Sequence, residues 1–253
     1  MLAHQVHRCR PLLGTFVSIQ IPEGENALEQ IDLAFAIIQD VDQEASFFRQ
    51  NNWLDRINRL VLNPPAAPWW ADQLLQLCDE ITTQSQGCFA PKHHGKMDLS
   101  GIAKGYAVDL AVEQLIKSGV ECGVVNAGGD LRVFGNQSHE IQVISALDGQ
   151  ILKTLNLKNQ AMATSVLQMR ALEQNPRLAS QGIRLQHPVG PMPLQVSVIS
   201  DRCAVADALT KVIAHQPANL QKILSHFAAQ SISFDLNRTE QRKMSRGQSQ
   251  QHG

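Results

Sequence analysis

The sequence predicts an α+β fold in which antiparallel sheets pack with helices. Three observations lead there. Segments with the spacing of one apolar helical face fill much of the first half. Short alternating segments separated by turn residues follow residue 123. The two kinds do not alternate in the strand–helix–strand order of a parallel sheet. At 253 residues, 43% hydrophobic and 18% charged, the chain can bury a large core. Residues 1–236 are expected to form one domain, or two intimately packed lobes, and the apolar-poor residues 237–253 a disordered tail.

Residues 13–21 alternate as a first strand, Phe16 excepted, and Pro22-Glu-Gly-Glu closes it. From Asn26, a candidate cap, to Glu44, the residues Ala27, Ile31, Ala34, Phe35, Ile38 and Val41 keep helical spacing. After a polar, Asn-rich connection, a second helix starts at Pro68 and stops at Gly87, with Leu74, Leu77, Cys78 and Ile81 on its apolar side. A third runs over residues 100–118, with Ser100 as cap and Gly119 as its left-handed stop. Strands are expected at 123–126, 131–134, 140–146 and 151–157, the last two joined by a Leu-Asp-Gly-Gln turn. A strand at 194–200, helices at 203–214 and 218–229 and a strand at 231–236 complete the reading.

A formal net charge of -1 provides no overall field to attract nucleic acid or an anionic membrane, so any bound phosphate must meet local groups. The five cysteines are scattered, odd in number and without CxxC spacing, which argues for free thiols over a disulfide framework or zinc site. No segment reaches the about 18 uncharged apolar residues of a membrane span. His4, His7, Arg8 and Arg10 interrupt the residues before the first strand, leaving no apolar leader region, so a soluble, cytoplasmic protein is expected.

Three segments carry chemistry. In Asp98-Leu-Ser-Gly-Ile-Ala-Lys-Gly-Tyr-Ala-Val-Asp109, a carboxylate precedes a glycine-bearing helix start with Lys104 in its first turn. Free N–H groups, the positive end of the helix and an ammonium together suit a pyrophosphate. In Gly123-Val-Val-Asn-Ala-Gly-Gly-Asp-Leu131, the Gly128-Gly129 pair permits a positive-φ turn and close ligand approach. There Asn126 and Asp130 can bond a ribose, an adenine edge or the turn itself. In Ala206-Asp-Ala-Leu-Thr-Lys211, Asp207 and Thr210 share one helical face, so a carboxylate and a hydroxyl can reach one hard cation. The i,i+4 spacing of Asp207 and Lys211 also allows a simple ion pair.

Taken in this order, the three segments resemble the ApbE family of FAD:protein FMN transferases, whose patterns are D-L-G-G-I-A-K-G-Y-A-x-D, N-x-G-G-D and A-D-A-L. Leu13-Gly-Thr15, Ser46-Phe-Phe-Arg with Ile57-Asn58, and Ala163-Thr-Ser165 match further family segments, so the resemblance spans roughly residues 11–215. It implies an ApbE-like fold and binding of FAD, with Asp98 and Lys104 on the cofactor, Leu13 against the flavin, and Asn126, Gly128, Gly129 and Asp130 along the nucleotide. Thr164 and Ser165, in the family's A-T-S-G turn, are implied to join them. It further implies Mg²⁺ at the Gly101 carbonyl, Asp207 and Thr210, and transfer of FMN to a Ser or Thr hydroxyl of an acceptor protein with release of AMP. Hydrolysis of FAD to FMN and AMP, or FAD binding without turnover, are the alternatives.

The sequence departs from the pattern at four places. Lys211 stands where the family has Thr, and Val166 where its turn has Gly. His187 corresponds either to a family His, a candidate base, or to a family Asp, because His187-Pro-Val-Gly-Pro191 aligns only across a deletion. Phe89-Ala-Pro-Lys-His-His-Gly-Lys-Met97 is short, basic and lacks a carboxylate at Ala90.

Overall fold

The computed structural model describes residues 4–59, 66–93, 95–167 and 194–235. Seven strands form one antiparallel sheet in the order β1 (Gln5–Leu12), β2 (Thr15–Pro22), β5 (Gly123–Ala127), β6 (Asp130–Phe134), β9 (Ala161–Leu167), β10 (Leu194–Ser200) and β11 (Gln230–Asp235). Two hairpins form separate sheets, β3 (Lys92–His93) with β4 (Lys96–Met97), and β7 (His139–Ile144) with β8 (Ile151–Leu157). Among the described residues the helices are α1 (Ala27–Glu44), α2 (Trp53–Asn58), α3 (Ala71–Gln84), α4 (Ala103–Lys117), α5 (Cys203–Ala214) and α6 (Leu220–His226). Among the described residues no helix is long and apolar enough to cross a membrane.

The two-residue period of a strand divides the sheet's side chains between two cores. Val17, Ile19, Val125, Ala163, Val196 and Val198 pack in the main core with α1, α4 and α5. Their neighbours Leu131, Val133, Met162 and Ile199 join Val143 and Leu157 of the β7–β8 hairpin in a smaller cluster. The α1 periodicity read from sequence buries Ala27, Ile31, Ala34, Phe35, Ile38 and Val41. Helix α5 is buried at every residue, Asp207 and Lys211 included.

The two central helices cap each other. Asp109, on α4, accepts hydrogen bonds from the first two N–H groups of α5, Cys203 and Ala204, each at 2.9 Å. In return Asp207, on α5, accepts at Oδ2 from the Gly105 N–H of α4, at 3.1 Å. Each aspartate thus satisfies amides that a helix start leaves without an intrahelical partner. The crossing needs glycine: a Cβ at Gly105 would lie 2.4 Å from the Cys203 carbonyl oxygen. Arg132 completes the Asp109 site at 2.9 Å. Burial pushes the Asp109 carboxyl up, and Arg132 and the two amides oppose it.

Several expectations are corrected. Strand β1 was absent from the reading because its residues are mostly exposed and lack an apolar alternation, yet it pairs with β2 along its whole length. The Asn-rich connection contains α2, capped by the Asn52 side chain on the Asp55 N–H. Asn26 holds the cap position of α1 without a side-chain cap bond. Helix α3 begins at Ala71, after a turn in which the Ala71 N–H bonds the Pro68 carbonyl. Ser100 does not cap α4: its N–H is tied to Asp98 Oδ1, Ile102 and Ala103 bond to the Leu99 carbonyl, and Ile102 takes the cap position. Ala163–Ser165, matched to a turn, lies within strand β9 between β6 and β10. Val166 is therefore extended, a conformation suited to β-branched residues. The expected tail at 237–253 lies outside the described residues.

Removing the Asp109 carboxylate leaves Arg132 and two helix-start amides without it. Asp109→Ala is expected to cost about 3–5 kcal/mol, read as a lowered urea midpoint. Arg59→Ala, which breaks an exposed i,i+4 pair with Asp55, should cost less than about 1 kcal/mol.

Candidate functional site

Two hairpin tips lie side by side at one end of the sheet. Leu13 and Gly14 join β1 to β2 with φ of 55° and 69°, and Gly128 and Gly129 join β5 to β6 with φ of 62° and 100°. Positive φ at both positions is the two-residue turn that matches strand twist. Leucine is a costly occupant of the first position, by roughly 1–2 kcal/mol. The tips touch: a Cβ on Gly128 would lie 2.4 Å from Thr15 Oγ1. Asn126 braces the second tip by accepting from the Gly129 N–H at 2.8 Å.

Each tip borders a cleft. On the helix side, a cleft of about 560 Å³ is lined by Leu13, Thr15, Phe47, Phe48, Ser100 and Lys104, among others. On the hairpin side, a cleft of about 530 Å³ is lined by Asn126, Gly128, Gly129, Gln142, Thr164 and Gln195, among others. Gln195 holds the β7–β8 hairpin over the second cleft, donating to the Ile144 carbonyl at 2.8 Å and accepting from Ala146 N–H at 3.0 Å.

Between helices and sheet lies a buried chain of charges. Lys104 Nζ sits 2.8 Å from Asp130 Oδ2, and the Thr164 N–H donates to Asp130 Oδ1 at 3.2 Å. Burial and the neighbouring Asp207 push the Asp130 carboxyl up, opposed by Lys104 and Lys211. Burial alone would lower Lys104, but Asp130 and Asp207 outweigh it and hold it above the ordinary lysine value, so its charge persists at neutral pH. Asp207 Oδ1 accepts a hydrogen bond from the Lys211 ammonium, which also donates to the Asp207 carbonyl at 3.0 Å. Thr210 donates to the same carbonyl at 2.7 Å and shares a hydrogen bond with Ser165 at 2.8 Å.

The structure therefore brings Lys104, Asp130, Asp207, Thr210 and Ser165 together, with the Thr164 N–H on Asp130, while the Thr164 hydroxyl turns to the other sheet face and bonds Ser197 at 2.8 Å. Asp98 braces the approach to α4 through the Ser100 N–H at 2.9 Å, and burial pushes its carboxyl up. Gly101 is buried one turn before Lys104. His187 lies outside the described residues. Sequence reading missed Gln195, Ser197 and Arg132, single polar residues inside strand patterns that become informative only once β9 and β10 are paired.

The oxygen donors proposed for Mg²⁺ do not fit it as they stand. Magnesium takes about six oxygens in near-octahedral array, whereas Asp207 is engaged by Lys211 and Gly105 and the Thr210 hydroxyl by Asp207 and Ser165. Among the described residues no group of three or more His, Cys, Asp or Glu is placed to hold a metal ion.

The fold is that of solved ApbE structures. An ApbE protein from Thermotoga maritima matches with a TM-score of 0.73 and 19% identity, over 92% of this chain and 95% of that one. The flavin transferase ApbE from Vibrio cholerae matches at 0.70 and 16%, over 92% and 94%. The apo flavinyl transferase ApbE from Pseudomonas stutzeri matches at 0.71 and 17%, over 92% and 91%. A curated relative, FAD:protein FMN transferase from Rhodobacter capsulatus, is 29% identical over 124 residues, 45% of this chain. The match spans only 23% of that relative's length. The ApbE family model matches residues 91–232, from the loop before α4 through the strand that closes the sheet, and with the motifs and fold in agreement the chain belongs to the ApbE family.

Proposed function

We propose that the chain binds FAD and transfers its FMN half to a Ser or Thr hydroxyl of an acceptor protein, releasing AMP. The observation that carries this reading is the two clefts bordering adjacent hairpin tips, with the Lys104 ammonium reaching one of them from the first turn of α4. A dinucleotide has the same form, two ring systems joined by a charged pyrophosphate. In this reading the flavin lies in the helix-side cleft against Leu13, and the adenosine half follows Asn126, Gly128, Gly129 and Thr164 into the hairpin-side cleft. The pyrophosphate then meets Lys104 and the start of α4, whose dipole and ammonium favour an anion. Asp98 keeps that start in position, and Asp130 and Asp207 keep Lys104 charged.

The step itself is a displacement at the flavin-side phosphorus. The acceptor hydroxyl oxygen forms a new P–O bond, the bond to the AMP oxygen breaks, and the hydroxyl proton passes to a base, for which His187 is the candidate. Catalysis of this kind is largely positioning and charge stabilisation. Lys104 offsets negative charge on the phosphate oxygens as the old bond breaks. The Mg²⁺ implied by the family likeness would add charge stabilisation at Asp207, and in this chain it would have to displace Lys211.

The test follows AMP release and covalent flavin on a candidate acceptor domain incubated with protein and FAD. Both products together support transfer. AMP without labelled acceptor indicates hydrolysis, and FAD binding with neither product indicates a binder without turnover. Lys104→Met is expected to weaken FAD binding by about tenfold or more, the loss of one charge-assisted phosphate contact, read by flavin fluorescence. Leu13→Gly should relieve the turn and raise the folded-state stability by up to about 1 kcal/mol while weakening FAD binding, an opposition that a purely structural role would not produce.

A further inference from the structure

We propose that Lys211 is the resident cation of this site, so that the chain holds FAD without a divalent metal. The inference rests on the FAD reading above and deepens it. Lys211 is one turn after Asp207 on a helix buried throughout, and its ammonium is bound to both the carboxylate and the carbonyl of that residue. The other Asp207 oxygen is taken by the Gly105 N–H, and the Thr210 hydroxyl by Asp207 and Ser165. A metal ion entering at Asp207 Oδ1 would have to expel a fixed charge.

Charge leads to the same place. Asp130 and Asp207 are matched one for one by Lys104 and Lys211, which leaves neither of these two carboxylates uncompensated to attract a dication. The two lysines divide the work by exposure. The Lys211 side chain is 7% exposed and closes off Asp207, whereas that of Lys104 is 31% exposed and lines the helix-side cleft. An ammonium is a compact point charge that binds phosphate without the ordered oxygen shell a divalent ion demands.

The test uses the full chain and its Lys211→Thr and Asp207→Asn variants. Mn²⁺ alone is titrated and followed by loss of the free-ion electron paramagnetic resonance signal, and FAD affinity is measured by flavin fluorescence in EDTA or in millimolar Mg²⁺. Wild type is expected to take up no Mn²⁺ and to bind FAD equally, within about twofold, in both buffers. Lys211→Thr should take up Mn²⁺ and bind FAD about tenfold or more tightly with Mg²⁺, as linkage requires when one ligand supplies the other's counter-charge. Mn²⁺ uptake by wild type that Asp207→Asn abolishes overturns the proposal, whether or not Lys211→Thr folds. So does wild-type FAD binding that tightens about tenfold with Mg²⁺, or a folded Lys211→Thr that takes up no Mn²⁺. If FAD fails to bind in either buffer, the FAD reading falls, while the Mn²⁺ titrations still decide the role of Lys211.

Discussion

The mutual capping of α4 and α5 is the constraint on which the rest of the structure depends. Two buried helix starts brought together present several N–H groups that need partners. Asp109 and Asp207 supply the acceptors, each from the opposite helix. The arrangement works only at close backbone approach, which Gly105 allows. With α4 fixed, Lys104 pairs with Asp130 at the β5–β6 tip. With α5 fixed, Asp207, Thr210 and Lys211 lie under β9, where Ser165 meets Thr210. Sheet, helices and candidate site are therefore one construction.

The same constraint explains an apparent excess of charge in the interior. Four ionisable side chains near one another would be costly to bury singly. Here acids and bases stand in ion pairs, and backbone amides take carboxylate oxygens that remain. The site is polar because its two helices begin there.

Much of this was legible in the chain. The apolar spacing of α1, the extents of β8, β10 and α5, and the glycine stop of α4 follow from side-chain periodicity and turn chemistry alone. The tip at Gly128-Gly129 was equally readable, since two successive positive-φ positions favour glycine. Strand β1 was hidden because an exposed edge strand carries no apolar alternation. Strand β9 was hidden because Ala163, Thr164 and Ser165 are small residues whose character is set by what they pair with. The site's donors were named, but their division between two sheet faces depends on the register of β9 with β10, which no local pattern encodes. The ion pair of Lys211 with Asp207 was readable as an i,i+4 spacing beside the i,i+3 spacing of Asp207 with Thr210, and the structure forms that pair.

Burial also sorts the five thiols by reactivity. Cys9 is exposed on the edge strand, whereas Cys203 is fully buried at the first residue of α5, and burial holds its thiol well above the usual cysteine range. A thiol-directed reagent meets Cys9 in the native protein and Cys203 only when α4 and α5 part. The rate at which Cys203 becomes modifiable is thus a built-in clock for the opening of the helix crossing, readable by mass spectrometry without any engineered probe.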